Sequence, residues 1–246
     1  MTLSITRRGA LAGIAAMTVA RPAFATSGPV DILELFTSQG CSSCPAADRL
    51  MGTYAGDRSV IALSYNVDYW DYLGWKDTLA MHAFTERQYA YSRMRGDNRV
   101  YTPQTVINGA EHAVGSDRGA IESARRQTRH KLGDIQPDLS LGADASALTV
   151  SIGSGRGGPA TLFVAAVASH VDVAIGRGEN AGRNVTYHNV VRRLVTAGNW
   201  AGQEVHLSVD RTTLGRDADM AAAFLQSGDA ARPGPILAAA TLSLPT

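Results

Sequence analysis

The 246-residue sequence predicts an α/β domain over residues 28–132, followed by a mainly β, sandwich-like domain over residues 138–246. Three observations predict this division. In the first part, apolar strand-like runs alternate with helix-forming runs, as in sheets whose parallel strands are joined by helices. In the second part, strand-like runs follow one another without helices, as in antiparallel sandwiches. Between them, residues 132–137 contain a glycine and a proline that interrupt the pattern.

The amino-terminal residues 1–25 have the features of a cleaved export signal. Arg7 and Arg8 precede an apolar run, residues 10–20, and a sequence of the A-x-A type ends at Ala25. The run is too short to cross a bilayer as a helix, so we expect cleavage after Ala25 and no membrane span in the mature chain. The arginine pair resembles a twin-arginine signal, and a Sec signal is the alternative. We therefore expect a periplasmic protein.

The charge of the chain is nearly balanced. The sequence has 23 Lys and Arg against 22 Asp and Glu, and cleavage would remove the arginines at 7, 8 and 21 but no acidic residue. The mature chain would then carry a net charge of about −2 and has no basic block. We therefore expect neither nucleic acid nor an anionic membrane as a partner.

Local patterns predict each element of the first domain in order. Residues 30–36 form an apolar run of strand length that includes the acidic Glu34, and residues 60–65 form a second. Pro45 opens a helix over residues 45–51, because proline is tolerated in the first turn of a helix. The remaining segments are an aromatic loop at 67–75, a helix at 79–94, a strand at 104–108, a hairpin turn at Asn108-Gly109, a strand at 111–114 and a helix at 117–131 capped by Ser116.

Glycine-rich turns separate the strands of the second domain. The predicted strands are residues 147–152, 161–170, 185–195, 205–209 and 236–244, whereas residues 220–226 fit either a strand or a helix.

The two cysteines of the chain, Cys41 and Cys44, form a C-x-x-C pair between the first strand and the following helix. The amino terminus of a helix favours negative charge and therefore a thiolate. We expect Cys41 to be the exposed nucleophile and Cys44 to resolve the mixed disulfide. The pair thus predicts a thiol–disulfide oxidoreductase that acts on protein thiols or disulfides in the envelope and needs no cofactor or metal.

Other roles for the pair are possible from the sequence. A passive disulfide would close only a short loop and would stabilise little. A structural zinc site needs four Cys or His ligands. A copper carrier is the stronger alternative, because thiolates select Cu(I) and His82, Met81 or Met94 could supply a further ligand. A non-catalytic binding module remains the alternative function.

Two further segments are expected beside the cysteines. Loops that follow parallel strands open at one edge of the sheet, so the aromatic loop, with Tyr69 and Trp70, should lie near Cys41. Its rings either contact an extended substrate or belong to the core. Thr102 and Pro103 begin the antiparallel third strand and should reach the same edge.

The motifs resemble those of known proteins. Leu35-Phe36-Thr37, followed by Gly40-Cys41, is similar to the opening of glutaredoxin-like members of the thioredoxin superfamily. FTSQGCSSCP, VDYWDYLGW, YTPQ, GENAG and YHNVV together resemble an uncharacterised family of secreted bacterial thioredoxin-like proteins.

This resemblance implies a thioredoxin-like (glutaredoxin-type) α/β domain before the β domain, but no agreed reaction. It also implies a cis-proline at Pro103 that faces the cysteines, with the backbone of Thr102 free to pair with a substrate segment.

Three features have competing interpretations. Glu34 is either a proton acceptor for Cys44 or simply a paired carboxylate. The glycine-rich residues 178–182 are interpreted as a turn, and His188 as a hydrogen-bonded strand residue rather than a metal ligand or a bond between the domains. The sequence leaves open the direction of electron flow, the substrate and the oligomeric state.

Overall fold

The computed structural model describes residues 25–26, 31–132 and 137–244. The predicted export signal therefore lies outside the described residues, apart from Ala25. In chain order the elements are β1 (Ala25–Thr26), β2 (Asp31–Thr37), α1 (Cys44–Ala55), β3 (Val60–Asn66), α2 (His82–Arg95), β4 (Gln104–Ile107), β5 (Glu111–Val114), α3 (Arg118–Leu132), β6 (Leu139–Ala143), β7 (Ala147–Ile152), β8 (Ala160–Ala174), β9 (Asn184–Trp200), β10 (Val205–Asp210), β11 (Met220–Gly228) and β12 (Pro233–Ser243).

An eight-stranded mixed sheet joins the two parts of the chain. Its strand order is β12-β11-β8-β9-β3-β2-β4-β5, and β1, β6, β7 and β10 form a second sheet of four strands. The junction in the large sheet is a parallel pairing of β3 with β9, at Ser64 and Val190. Side chains reinforce it, because the Ser64 hydroxyl donates to the carbonyl of His188 at 2.8 Å and the Asn189 amide donates to the carbonyl of Ala62 at 2.9 Å.

The large sheet is covered on both faces. On one face, α2 contributes Phe84 and Tyr91 to a core that also contains Phe36 of β2 and Phe163 of β8. On the opposite face, α1 and α3 pack on β2 through Leu33 and its neighbours. The four-stranded sheet covers β8, β11 and β12 on that same face. No helix in the described ranges is both long and apolar enough to cross a membrane.

The predicted fold class is wrong. A thioredoxin-like α/β domain followed by a β domain would have two separate sheets, whereas β2–β5 and β8, β9, β11 and β12 belong to one sheet. The core on the α2 face likewise contains residues from both parts. The error has a physical cause, since strand pairing over more than a hundred residues leaves no local pattern. The domain boundary near residues 133–136 stays a prediction, and those residues lie outside the described part.

Most individual elements were predicted correctly. The hairpin turn is confirmed, with positive φ angles of 50° at Asn108 and 68° at Gly109 that match its sequence. The segment at 220–226 is a strand, while β6 was not predicted and β8 and β9 are longer than expected. Asp117, rather than Ser116, caps α3, because its carboxylate accepts a hydrogen bond from the N–H of Ala120 at 2.9 Å.

A buried ion pair links three elements on the α2 face. Nε of Arg87 donates to Glu34 at 2.8 Å, and Nη2 donates to the Tyr91 hydroxyl and to Gln226 of β11. The side chains of Arg87 and Glu34 are 5% and 0% exposed. Glu34 therefore lies on the face opposite α1, and its interpretation as a proton acceptor for Cys44 is wrong.

We expect Arg87→Leu to lower the free energy of unfolding by about 3–5 kcal/mol, because Glu34 would remain buried without its cation. Urea unfolding measures the loss. The double variant with Glu34→Leu removes both charges and should recover part of the stability. A double variant that is as unstable as Arg87→Leu alone would contradict this account.

Candidate functional site

The cysteine pair forms a disulfide where β2 leads into α1. The Cα atoms of Cys41 and Cys44 are 5.4 Å apart, and the N–H of Cys44 donates to the carbonyl of Cys41 at 3.2 Å. Ser43 occupies the N-cap position of α1 without a side-chain capping bond, and Pro45 lies in the first turn. The hydroxyl of Ser43 lies 3.3 Å from Sγ of Cys41. The pair therefore sits at the helix start, as the sequence predicted.

Both cysteines are buried in this disulfide form. Cys41 is 2% exposed and Cys44 is 0% exposed, while Ser42 and Ser43 between them are exposed. The prediction that Cys41 is the exposed member is wrong for this form. Access to its sulfur requires a movement of the turn or of a neighbouring segment.

The aromatic loop after β3 forms one wall of the site. Nε1 of Trp75 donates to the Gln39 side chain at 2.8 Å, just before the cysteines, and Nε1 of Trp70 donates to the Thr102 hydroxyl at 2.7 Å. A Cβ at Gly40 would lie 3.0 Å from Cβ of Trp70, so Trp70 packs directly on the cysteine turn. Tyr69 instead donates to Gln88 at 3.2 Å, on α2.

Thr102 and Pro103 lie at the same edge. The peptide bond between them is cis. The carbonyl of Thr102 lies 3.5 Å from the hydroxyl of Ser43, which brings the start of β4 next to the cysteine turn. The structure therefore brings Cys41, Cys44, Trp70 and Thr102 together, as predicted from the order of the strands.

The tip of the β8–β9 hairpin, residues 175–183, forms a second wall, which the sequence analysis did not assign to the site. The Asn180 amide is 1% exposed and donates to the carbonyls of Gln39 and Cys41 at 2.9 and 2.8 Å. The Glu179 carboxylate accepts a hydrogen bond from the N–H of Ser42 at 3.1 Å. The GENAG motif, which the sequence predicts as a turn, is the local signal for this wall.

Asp48 is a buried acid one helical turn after Cys44. The two residues are four positions apart on the buried face of α1. Oδ1 of Asp48 accepts a hydrogen bond from Thr37 at 2.7 Å, and Oδ2 has no partner in the described part of the chain. Burial raises the pKa of Asp48 to about 7, the Thr37 bond opposes this rise, and the charge of Asp77 adds to it.

A second buried acid, Asp77, organises the aromatic loop. Its carboxylate accepts hydrogen bonds from the N–H of Gln39 at 2.8 Å, from Asn66 at 3.0 Å and from the N–H of Leu79 at 2.8 Å. Burial raises its pKa, although these hydrogen bonds oppose the rise. Burial, and then the charges of Asp48 and Asp77, also raise the pKa of Tyr187 on β9 well above its usual range. The acids thus lie in a shared buried environment.

The described residues include no group of three or more His, Cys, Asp and Glu side chains that could hold a metal ion. His82, one of the ligands considered for copper, lies 3.0 Å from Asp68. The ring of His188 packs on α1, because a Cβ at Gly52 would lie 2.6 Å from it. His188 therefore lies in a strand, as predicted, while its ring packs on a helix of the first part of the chain.

Comparisons with known proteins identify similar chains, but none of them comes with a known reaction. The chain is 34% identical to protein AGR_C_4864 from Agrobacterium tumefaciens, whose crystal structure superposes with a TM-score of 0.78 over 88% of this chain and 96% of that one. HBP35 of Porphyromonas gingivalis is 14% identical, with a TM-score of 0.61 over 88% and 75% of the two chains, a likeness that concerns the fold alone. A search of curated proteins found no match.

The family comparison covers most of the chain. The family model "Protein of unknown function (DUF1223)" matches residues 32–226, a range that contains the cysteine turn, the aromatic loop and the hairpin tip. This protein therefore belongs to the DUF1223 family.

Proposed function

We propose that this protein is a thiol–disulfide oxidoreductase of the periplasm, acting on the thiols or disulfides of envelope proteins. The observation that carries the proposal is the Cys41–Cys44 disulfide at the start of α1, one turn before the buried acid Asp48. A passive staple would not need a buried carboxyl group at this position, whose Oδ2 has no partner among the described residues. The predicted export signal in residues 1–25 supports the location.

The reaction begins from the dithiol form. The Cys41 thiolate attacks one sulfur of a substrate disulfide, a Cys41–substrate bond forms, and the other substrate sulfur leaves as a thiolate. The Cys44 sulfur then attacks Sγ of Cys41, which restores the Cys41–Cys44 disulfide and releases the second substrate thiolate. The substrate gains two electrons and the protein dithiol loses them. The same steps in reverse oxidise a substrate dithiol.

Asp48 supplies the proton acceptor in this scheme. Cys44 must lose its proton before it attacks, and it is fully buried, so water does not reach it readily. Asp48 lies on the same helix face and has a pKa near neutrality, which suits a general base at physiological pH. The Thr37 hydroxyl fixes one oxygen and leaves the other, Oδ2, available.

The substrate groove is proposed along the edge formed by Thr102, Pro103, Trp70 and Tyr69. Trp70 and Thr102 are joined by a hydrogen bond and lie next to Gly40 and Ser43 of the cysteine turn. Tyr72, in the same loop, is 78% exposed and extends the aromatic surface. An extended polypeptide would find both apolar contacts and backbone groups here.

We expect Cys44→Ser to accumulate mixed disulfides between Cys41 and envelope proteins, because it lacks the sulfur that completes the exchange. The variant is purified from cells and separated by electrophoresis without reductant, where adducts appear as bands that disappear when reductant is added. Cys41→Ser is the matched control and should yield far fewer adducts.

Absence of adducts from Cys44→Ser, together with copper bound by both thiolates in the purified wild type, would replace this function with that of a copper carrier.

The second exchange step should become faster as pH rises through about 7, because Asp48 must be ionised to accept the Cys44 proton. Asp48→Asn should remove this pH dependence and slow the step by about 100-fold. Stopped-flow mixing of the dithiol protein with a chromogenic disulfide resolves the release of the two thiolates. Thr37→Val removes a hydrogen bond that lowers the pKa of Asp48, so it should shift the rise to higher pH. An unchanged profile in Asp48→Asn would exclude Asp48 as the acceptor.

The same carboxyl group should affect stability. The pKa of Asp48 in the folded protein, about 7, lies above the ordinary value of 3.8, so the folded state binds this proton more tightly than the unfolded state. The resulting contribution to the free energy of unfolding is fully present below about pH 4 and is lost as pH rises through 7. Urea unfolding should show the wild type losing about 4 kcal/mol relative to Asp48→Asn between pH 4 and 8. Equal pH dependence in both proteins would contradict the raised pKa.

A further inference from the structure

The hairpin tip brings a carboxylate to the start of α1. Glu179 accepts its hydrogen bond from the N–H of Ser42, the residue that follows Cys41. This contact joins residues 137 positions apart in the sequence. The helix that begins at Cys44 has no acidic side chain of its own in its first turn. Glu179 therefore places at this helix end a negative charge that the local sequence does not supply.

The contact is held in place by the neighbouring residue. Asn180 donates to the carbonyls on both sides of Gly40, those of Gln39 and Cys41, and is almost fully buried. Two hydrogen bonds from one buried amide fix the tip against the turn. The position of Glu179 is therefore fixed by the fold, although its own side chain is exposed.

A carboxylate at this point opposes a thiolate on Cys41. A helix amino terminus lowers the pKa of a nearby thiol because its free N–H groups and dipole stabilise the thiolate. Glu179 occupies one of the N–H groups next to Cys41 and adds a like charge. Both effects disfavour the thiolate and, with it, the dithiol form of the pair relative to the disulfide.

Other charges around the turn act in both directions. On the buried side, the charge of Asp77 raises the pKa of Asp48 and so disfavours negative charge there, whereas the charge of Arg49 on α1 lowers it. Lys76 follows the aromatic loop, Arg177 and Arg183 belong to the hairpin tip, and all three are exposed. Water and salt screen these exposed cations, so they offset the carboxylates only weakly.

We propose that Glu179 is a positioning residue that shifts the equilibrium of the cysteine pair toward the disulfide and so favours electron donation to substrate disulfides. This inference rests on the proposed function and gives it a direction. In each cycle the protein dithiol becomes a disulfide and one substrate disulfide becomes two thiols. A dithiol donor of the envelope then returns two electrons and two protons to the Cys41–Cys44 pair.

The test is the equilibrium of the pair with glutathione in the wild type and in Glu179→Gln. Glutamine keeps an oxygen that can accept the Ser42 hydrogen bond, so the variant removes the charge and retains the contact. We expect the equilibrium constant to shift about two- to fivefold toward the dithiol form, with a lower pKa for the Cys41 thiol. The difference should shrink in 1 M salt, where the screening length is about 3 Å.

A matched control separates local charge from net charge. Glu204→Gln removes a carboxylate that is 66% exposed and pairs with His206 on β10, and it should leave the equilibrium constant unchanged. An equal constant in wild type and Glu179→Gln, or an equal shift in Glu204→Gln, overturns the role of Glu179. That outcome differs from failure of the proposed function, in which the wild-type pair would not exchange with glutathione or trap substrates at all.

Discussion

The parallel pairing of β9 with β3 is the interaction on which the rest of the structure depends. It merges two sets of strands into one sheet, and it fixes where the long β8–β9 hairpin ends. Because β8 and β9 have 15 and 17 residues, the hairpin extends beyond its own sheet partners and carries its tip to the cysteine turn. The packing of His188 on Gly52 holds the same hairpin against α1. The β3–β9 pairing therefore determines both the strand order of the large sheet and the position of the hairpin tip beside the cysteines.

The polar groups buried on the two faces of β2 serve different purposes. On the α2 face, Glu34 is fully engaged with Arg87 and Tyr91, so its charge is compensated. On the α1 face, Thr37 contacts Asp48, whose other oxygen has no partner among the residues that the structure describes. A compensated ion pair contributes to a defined core, whereas a carboxyl group with one free oxygen can still accept a proton or a hydrogen bond. The alternation of side chains along a single strand separates these roles.

Much of the site could be predicted from local sequence. The turn between β2 and α1 and the contact of Trp70 with Thr102 follow from residue type and strand order, as does the hairpin at Asn108 elsewhere in the fold. The tip residues Glu179 and Asn180 could not be placed, because their contacts span about 140 positions and depend on a strand pairing with no local signature. Asp48 could not be assigned to the site for a related reason: an acidic residue in a helix is ordinarily exposed, and only the packing of α1 shows that this one is buried.

The contacts made by Asn180 have a consequence for how the protein is made. Its amide closes chain loops of 141 and 139 residues when it binds the carbonyls of Gln39 and Cys41. Contacts of such long range form late, because their ordering entropy must be offset by structure already in place. A nascent chain presents both cysteines to the cell long before it presents Asn180. During synthesis the two cysteines are therefore present before Glu179 and Asn180, which contact the cysteine turn in the folded protein, have been added to the chain.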